Sequence, residues 1–158
     1  MCARSAEAAA ALGASWGRVE KRYVGLCRGV PDELGTIDHP LPRGEEKDSP
    51  RVQAVTRFRR LAVSPVERVA WLELFPETGR LHQIRRHLKH VSHPLLGDVN
   101  YGKGDWNRRF RAEYGLARLA LHAESITLPH PRAGELVCVR CPLPADLVEP
   151  LRRLGIVP

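Results

Sequence analysis

Residues 69–75, Val-Ala-Trp-Leu-Glu-Leu-Phe, carry apolar side chains on both sides of an extended chain. Successive side chains of a strand point to opposite faces. Trp71, Glu73 and Phe75 therefore face one way, and Ala70, Leu72 and Leu74 the other. A strand that is apolar on both faces must be covered on both, so this segment is expected in the middle of a sheet. Pro76-Glu77-Thr78-Gly79 ends it.

The neighbouring segments fill in the layers. Leu81, Ile84, Leu88 and Val91 form one apolar stripe at helical spacing, which predicts a helix over 81–91. The remaining surface of that helix is cationic or imidazole: His82, Arg85, Arg86, Lys89 and His90. The Ala-rich residues 3–14 also predict a helix, ending near Gly13 and Gly17. Residues 18–28 and 52–62 read as strands, and 29–50, rich in Pro, Gly and charge, as a long irregular connection. Residues 93–98 read as a turn, in which Asp98 has a structural role. Asp105 is a candidate cap for a short helix that stops at Gly115. Residues 118–128 and 135–141 alternate and are joined by a Pro/Gly turn, which predicts a hairpin. A last helix is expected over 145–154, with Leu147, Leu151 and Leu154 facing the core and Pro150 as a possible kink. Strands and helices intermix without a βαβ rhythm. The expected class is α+β, a largely antiparallel mixed sheet with flanking helices.

Charge narrows the partners. The 158 residues hold 25 Lys and Arg against 18 Asp and Glu, a net charge of +7 with His neutral. Nucleic acid is the commonest partner of such a basic domain. No run is long and apolar enough for a membrane span, and Glu7 interrupts the only small-residue run near the start. Reduced thiols in a cytoplasm are the expectation for Cys2, Cys27, Cys138 and Cys141. Cys138 and Cys141 have C-x-x-C spacing. A zinc site would need two further ligands at comparable spacing, which Cys2 and Cys27 do not supply, so a half-buried strand is expected there. His87, His90 and His93 recur at three-residue intervals, but His93 precedes Pro94 and lies past the helix, so no metal is expected.

Several stretches, in order, resemble the RluA-like pseudouridine synthases. Gly79-Arg80-Leu81-His82-Gln83-Ile84-Arg85 resembles the family's third motif. Glu20-Lys21-Arg22-Tyr23 resembles the segment that carries its active-site tyrosine, and Gly35-Thr36-Ile37-Asp38-His39-Pro40-Leu41 its Ile-Asp-x-Pro-Leu stretch. His93-Pro94-Leu95-Leu96-Gly97-Asp98, Arg118-Leu119-Ala120-Leu121-His122-Ala123, His130-Pro131 and Cys141-Pro142-Leu143-Pro144 resemble its later landmarks. Lys47-Asp48-Ser49-Pro50, Gln53-Ala54-Val55-Thr56, Arg59-Arg60-Leu61, Arg85-Arg86-His87 and the insert 105–116 are similar to the branch that modifies uridine 65 of tRNA.

The resemblance implies an RNA-modifying isomerase acting on RNA, with tRNA as the expected partner, and needing neither cofactor nor metal. It implies a catalytic Arg85, which would keep a nucleophilic aspartate ionised and oriented. It also implies that Tyr23 stacks on the uracil, close to the C5 proton that must leave. Arg80, His82, Arg86 and Lys89 are expected to face RNA. The target base must be flipped out of its stack, at a cost of a few kcal/mol. The family's nucleophile sits in a His-Arg-Leu-Asp motif, which does not occur in this sequence. Asp38 and Asp98 match other family positions. The expectation is thus a C-terminal portion of the catalytic domain, residues 1–158, lacking the first strands and the nucleophile and inactive alone. A non-catalytic RNA-binding module on the same scaffold, and a synthase acting on ribosomal RNA, are the alternatives.

Overall fold

A computed structural model describes residues 3–44 and 49–157. Cys2 and the Lys47-Asp48 pair lie outside the described residues. The described chain forms helix α1 (Ala6–Ser15), a short 3₁₀ turn (Trp16–Arg18) and strands β1 (Glu20–Arg28), β2 (Leu34–Asp38), β3 (Leu41–Pro42), β4 (Arg51–Val52), β5 (Val55–Val63) and β6 (Val69–Pro76). Helices α2 (Gln83–His90) and α3 (Gly104–Tyr114), the hairpin β7 (Leu121–Pro129) and β8 (Leu136–Arg140), and helix α4 (Ala145–Arg153) follow.

Six strands pair in the order β2-β5-β6-β1-β7-β8, every pairing antiparallel, while β3 and β4 form a separate two-stranded ribbon. The class and the sheet type are those the sequence predicts. β6 is interior, between β5 and β1, and both of its faces are covered. Val69 and Trp71 pack with Phe110 of α3 and Leu147 and Leu151 of α4. Ala70, Leu72 and Leu74 pack with Ile84 and Leu88 of α2. Glu73 lies on the Trp71 face and is buried there because Arg22 and Arg59 both bond its carboxylate.

Several expectations are corrected. The irregular connection 29–50 contains two strands, β2 and β3. β2 is an edge strand whose residues are mostly outside the core, so it has no apolar alternation to betray it. The single strand 52–62 is two, because the chain crosses from the ribbon into the sheet at Gln53-Ala54, with Ala54 fully buried. The helix starts at Gln83 rather than Leu81. His82 adopts a left-handed conformation (φ 51°), which ends the turn before the helix, and Leu81 is 40% exposed rather than part of the stripe. Asp105 sits in the first turn of α3, two positions past Lys103, which occupies the cap position instead; Gly115 closes the helix in the left-handed region, as predicted.

The hairpin and the last helix form where expected, and α4 runs through Pro150 with Leu147, Leu151 and Leu154 buried. β8 is not half-buried: all five of its residues are exposed, Leu136 and Val139 among them. An exposed apolar edge of this kind is a pairing surface.

Candidate functional site

The site is built where β6 hands the chain to α2. Gln83, buried at the first turn of α2, fixes that junction through four hydrogen bonds. Its Oε1 accepts from the Thr78 hydroxyl (2.6 Å) and the Arg80 N–H (3.0 Å). Its Nε2 donates to the Val55 carbonyl (2.9 Å) and the Thr56 hydroxyl (3.0 Å). The Thr78 hydroxyl in turn accepts from the Val55 N–H at 3.1 Å. The motif turn is thereby pinned to β5, and its polar groups are satisfied although they are withdrawn from water.

One turn along, His87 is fully buried. Its Nε2 lies 3.0 Å from the His39 carbonyl and its Nδ1 2.9 Å from the Thr56 hydroxyl. A carbonyl can only accept, so Nε2 carries the proton and Nδ1 accepts from Thr56. Burial pushes the His87 pKa below its ordinary value, against the opposing pull of the His39 carbonyl.

Arg85 makes a planar fork on Asp98. Nε donates to Oδ2 and Nη2 to Oδ1, both at 2.8 Å. The Arg85 side chain is 14% exposed and that of Asp98 is fully buried. Oδ1 also accepts the N–H groups of Asn100 (3.0 Å) and Tyr101 (2.9 Å). Burial alone would raise the Asp98 pKa, but the Arg85 hydrogen bonds and the two backbone donors outweigh it, so the carboxyl stays below its ordinary range. The sequence-level view of Asp98 as a structural residue of the turn fits this geometry. Its pairing with Arg85 was not foreseen: the arginine is not left without a carboxylate, because this turn supplies one. The fork leaves Nη1 without a hydrogen bond among the described residues. The Tyr101 ring covers the guanidinium, with 4.9 Å from the Arg85 Cζ to the ring centre, and its hydroxyl lies 3.2 Å from His82 Nδ1.

Tyr23, Arg80, His82 and Arg85, four of the six residues singled out in the sequence, line one pocket of about 220 Å³ with Gln83 and Leu121. Tyr23 reaches it from β1, where it pairs with Leu74 and Ala123. Arg80 is held by its Nε donating to the Gln53 carbonyl at 3.0 Å. No carboxylate lines the pocket among the described residues. Arg86 and Lys89 do not enter it. They line an adjoining cleft of about 310 Å³ with His39, Arg51, His90 and Tyr101. Gln83, Tyr101, His39 and Arg51 were not singled out in the sequence. Tyr101 stands three residues after Asp98, a spacing that only the folded turn makes meaningful.

The three regularly spaced histidines do not converge on one point. His87 bonds Thr56 and His39, His90 stacks on His39, and His93 Nδ1 faces the Arg28 carbonyl at 3.0 Å. Among the described residues, no three His, Cys, Asp or Glu side chains converge as a metal site, and no helix is long and apolar enough to cross a membrane.

Comparison with known proteins bears on the same segments. A family model described as RNA pseudouridylate synthase matches residues 1–90. The chain is similar to tRNA pseudouridine synthase C of Haemophilus ducreyi, at 36% identity over 138 residues, covering 77% of this chain and 57% of that protein. It is similar to the protein of the same name from Salmonella typhimurium, at 32% identity over 154 residues, covering 87% of this chain and 59% of that protein. Among solved structures it is similar to human RNA Pseudouridylate Synthase Domain Containing 4, with a TM-score of 0.69, 30% identity, and coverage of 91% of this chain and 65% of that one. Human RNA Pseudouridylate Synthase Domain Containing 1 also matches, with a TM-score of 0.69, 28% identity, and coverage of 87% and 59%. The chain thus spans somewhat over half the length of the curated relatives it matches.

Proposed function

The chain belongs to the RNA pseudouridylate synthase family, and on that premise we propose that it carries the arginine and tyrosine side of an active site that isomerises uridine 65 of tRNA to pseudouridine in the cytoplasm. The observation that carries this reading is the convergence of Tyr23, Arg80, His82 and Arg85 on one pocket. In the reaction, the bond from uracil N1 to the sugar breaks, the base turns, and a bond from C5 to the sugar forms as the C5 proton leaves. Tyr23 supplies a flat face for the flipped uracil. The free Nη1 of Arg85 supplies a donor for a second carboxylate, the nucleophile, while Asp98 fixes the guanidinium plane. Neither a metal nor a cofactor has a step in this scheme.

Asp98 itself is a poor nucleophile. It is fully buried and accepts four hydrogen bonds, so attack would first require breaking the ion pair. The reading therefore assigns the nucleophile to a His-Arg-Leu-Asp segment outside these 158 residues. The lack of a carboxylate in the pocket among the described residues also supports a second reading, in which the chain binds RNA without turning it over. One assay separates the two. The chain alone, given tRNA tritiated at uridine C5, is expected to release no tritium. The chain joined to the His-Arg-Leu-Asp segment of a tRNA pseudouridine synthase C is expected to release it, and the same fusion with Arg85→Met is not. A silent fusion that folds and binds tRNA would favour the binding module. Release by the chain alone would refute the assignment of the nucleophile.

A further inference from the structure

The cleft beside the pocket has a composition of its own. It lies between the β3–β4 ribbon and the outer side of α2 and is lined by Arg51, Arg86 and Lys89 together with His39, His90 and Tyr101. Nine other arginines of the chain have a carboxylate within salt-bridge reach; these three cations have none among the described residues. Arg51 Nη1 instead donates to the Pro40 carbonyl (2.9 Å) and approaches His39 Nε2 (3.2 Å), which holds it across the mouth of the cleft. Arg86 Nη1 leans toward the Pro42 carbonyl at 3.4 Å. Lys89 Nζ lies 5.7 Å from the Tyr101 ring centre.

His39 and His90 stack at 3.6 Å between ring centres, inclined by 15°. Two imidazoles in that contact, beside three fixed positive charges, cannot both be protonated without strong repulsion. Burial, then the charges of His90 and Arg51, hold the His39 pKa below its ordinary value. Every titratable or charged lining group is cationic, imidazole or phenolic: His39 between β2 and β3, Arg51 on β4, Arg86, Lys89 and His90 on α2, and Tyr101 from the turn after it. Buried His87, beneath His39, is neutral in the tautomer assigned above. A dianion or phosphodiester seated in the cleft removes the repulsion and allows His39 to take up a proton. The ligand that fits is therefore an anion with several acceptor oxygens, and its binding is coupled to protonation.

We propose that this cleft holds a backbone phosphate of the RNA strand next to the nucleotide in the Tyr23 pocket, with His39, stacked on His90, gaining a proton as the phosphate enters. The inference rests on the RNA-modifying reading above and adds His39, Arg51 and His90 to the RNA-facing residues. Tyr101 joins the two sites, since its ring covers Arg85 on one side and borders the cleft on the other.

Two measurements test it. In the first, inorganic phosphate is titrated into the 158-residue chain at pH 6 while the ring carbon-bound protons of His39 and His90 are followed by NMR. Both are expected to shift together and saturate, and those of His122 and His130 to stay put. In the second, an unmodified tRNA transcript binds the chain and the double variant His39→Asn, Arg51→Gln between pH 8 and pH 6. The native chain is expected to bind roughly 5–10-fold more tightly at pH 6 than at pH 8. The variant is expected to lose that dependence, and its log-affinity should fall less steeply with log salt by about 0.7 per lost phosphate contact. Unmoved histidine signals, or a variant with native affinity, pH profile and salt slope, would overturn the proposal. Histidine shifts with inorganic phosphate in a chain that does not bind tRNA would also overturn it, leaving a free-anion site. Normal cleft behaviour in a fusion that binds tRNA but forms no pseudouridine would count against the catalytic reading alone.

Discussion

The two sides of α2 carry the same kinds of side chain in opposite states. On the side facing β5 and the Asp98 turn, Gln83 and His87 are buried, the Arg85 side chain is 14% exposed, and all three are hydrogen-bonded within the chain. On the cleft side, Arg86 and Lys89 have no carboxylate partner among the described residues, and His90 has only another imidazole against it. Arg85 and Arg86 are consecutive, yet one is locked in a fork and the other is open. Groups satisfied within the chain hold the site in shape, and groups left unsatisfied are available to a ligand. A rigid closed side also lowers the cost of ordering the open side when RNA arrives.

The comparison is broken most severely by removing Asp98. Asp98→Ala leaves the Arg85 charge nearly buried and two backbone N–H groups unpaired. A loss of about 3–5 kcal/mol of stability is expected, read by urea denaturation. A loss below about 1 kcal/mol would mean that the fork is a loose contact reachable by water.

Gln83→Ala comes next. It strands the Thr56 and Val55 acceptors and frees the turn at Thr78, and about 1–3 kcal/mol of stability should be lost. Because Arg80 and His82 stand on that turn, tRNA affinity is expected to fall as well.

Acid sharpens the same distinction. Burial keeps His87 neutral in the folded chain, so its pKa is depressed on folding. The unfolded chain then takes up a proton first. The contribution of His87 is complete above roughly pH 6.5 and falls away as the pH drops below that. Asp98 follows the same sign lower down: its pKa is also depressed, and its contribution is complete above roughly pH 4 and is lost as the pH falls through the folded value. Urea midpoints measured from pH 8 to pH 3 should decline in these two stages, and Asp98→Asn should flatten the lower one. A midpoint constant from pH 7 to pH 5 would mean that His87 is not held neutral.

The sheet was legible in the sequence wherever burial imposes a period. Residues 69–75 announced a central strand, and the leucines of α4 announced a core-facing stripe. Edge elements escaped, since β2 and the β3–β4 ribbon are short and fully bury only Ile37 and Leu41, too few residues to set a period. The site divides in the same way. Arg85 and Tyr23 were found through motif resemblance, and the structure brings them to one pocket. The Arg85–Asp98 fork joins residues 13 apart through a turn, and the His39–His90 stack joins residues 51 apart. No local pattern encodes either distance. Leu81 misled because its spacing fits the stripe, while the left-handed backbone at His82 takes it off the helix.

The central claim is tested most directly on adjacent residues, by measuring stability and tRNA affinity in parallel for Arg85→Gln and Arg86→Gln. Arg85→Gln is expected to lose about 3–5 kcal/mol of stability, while the folded fraction keeps most of its affinity. Arg86→Gln is expected to stay within about 0.5 kcal/mol of the native stability and to bind tRNA more weakly, with a salt slope reduced by about 0.7. The reverse pattern, with Arg86→Gln destabilised and Arg85→Gln stable but deficient in binding, would contradict the division of α2 into a closed positioning side and an open ligand side.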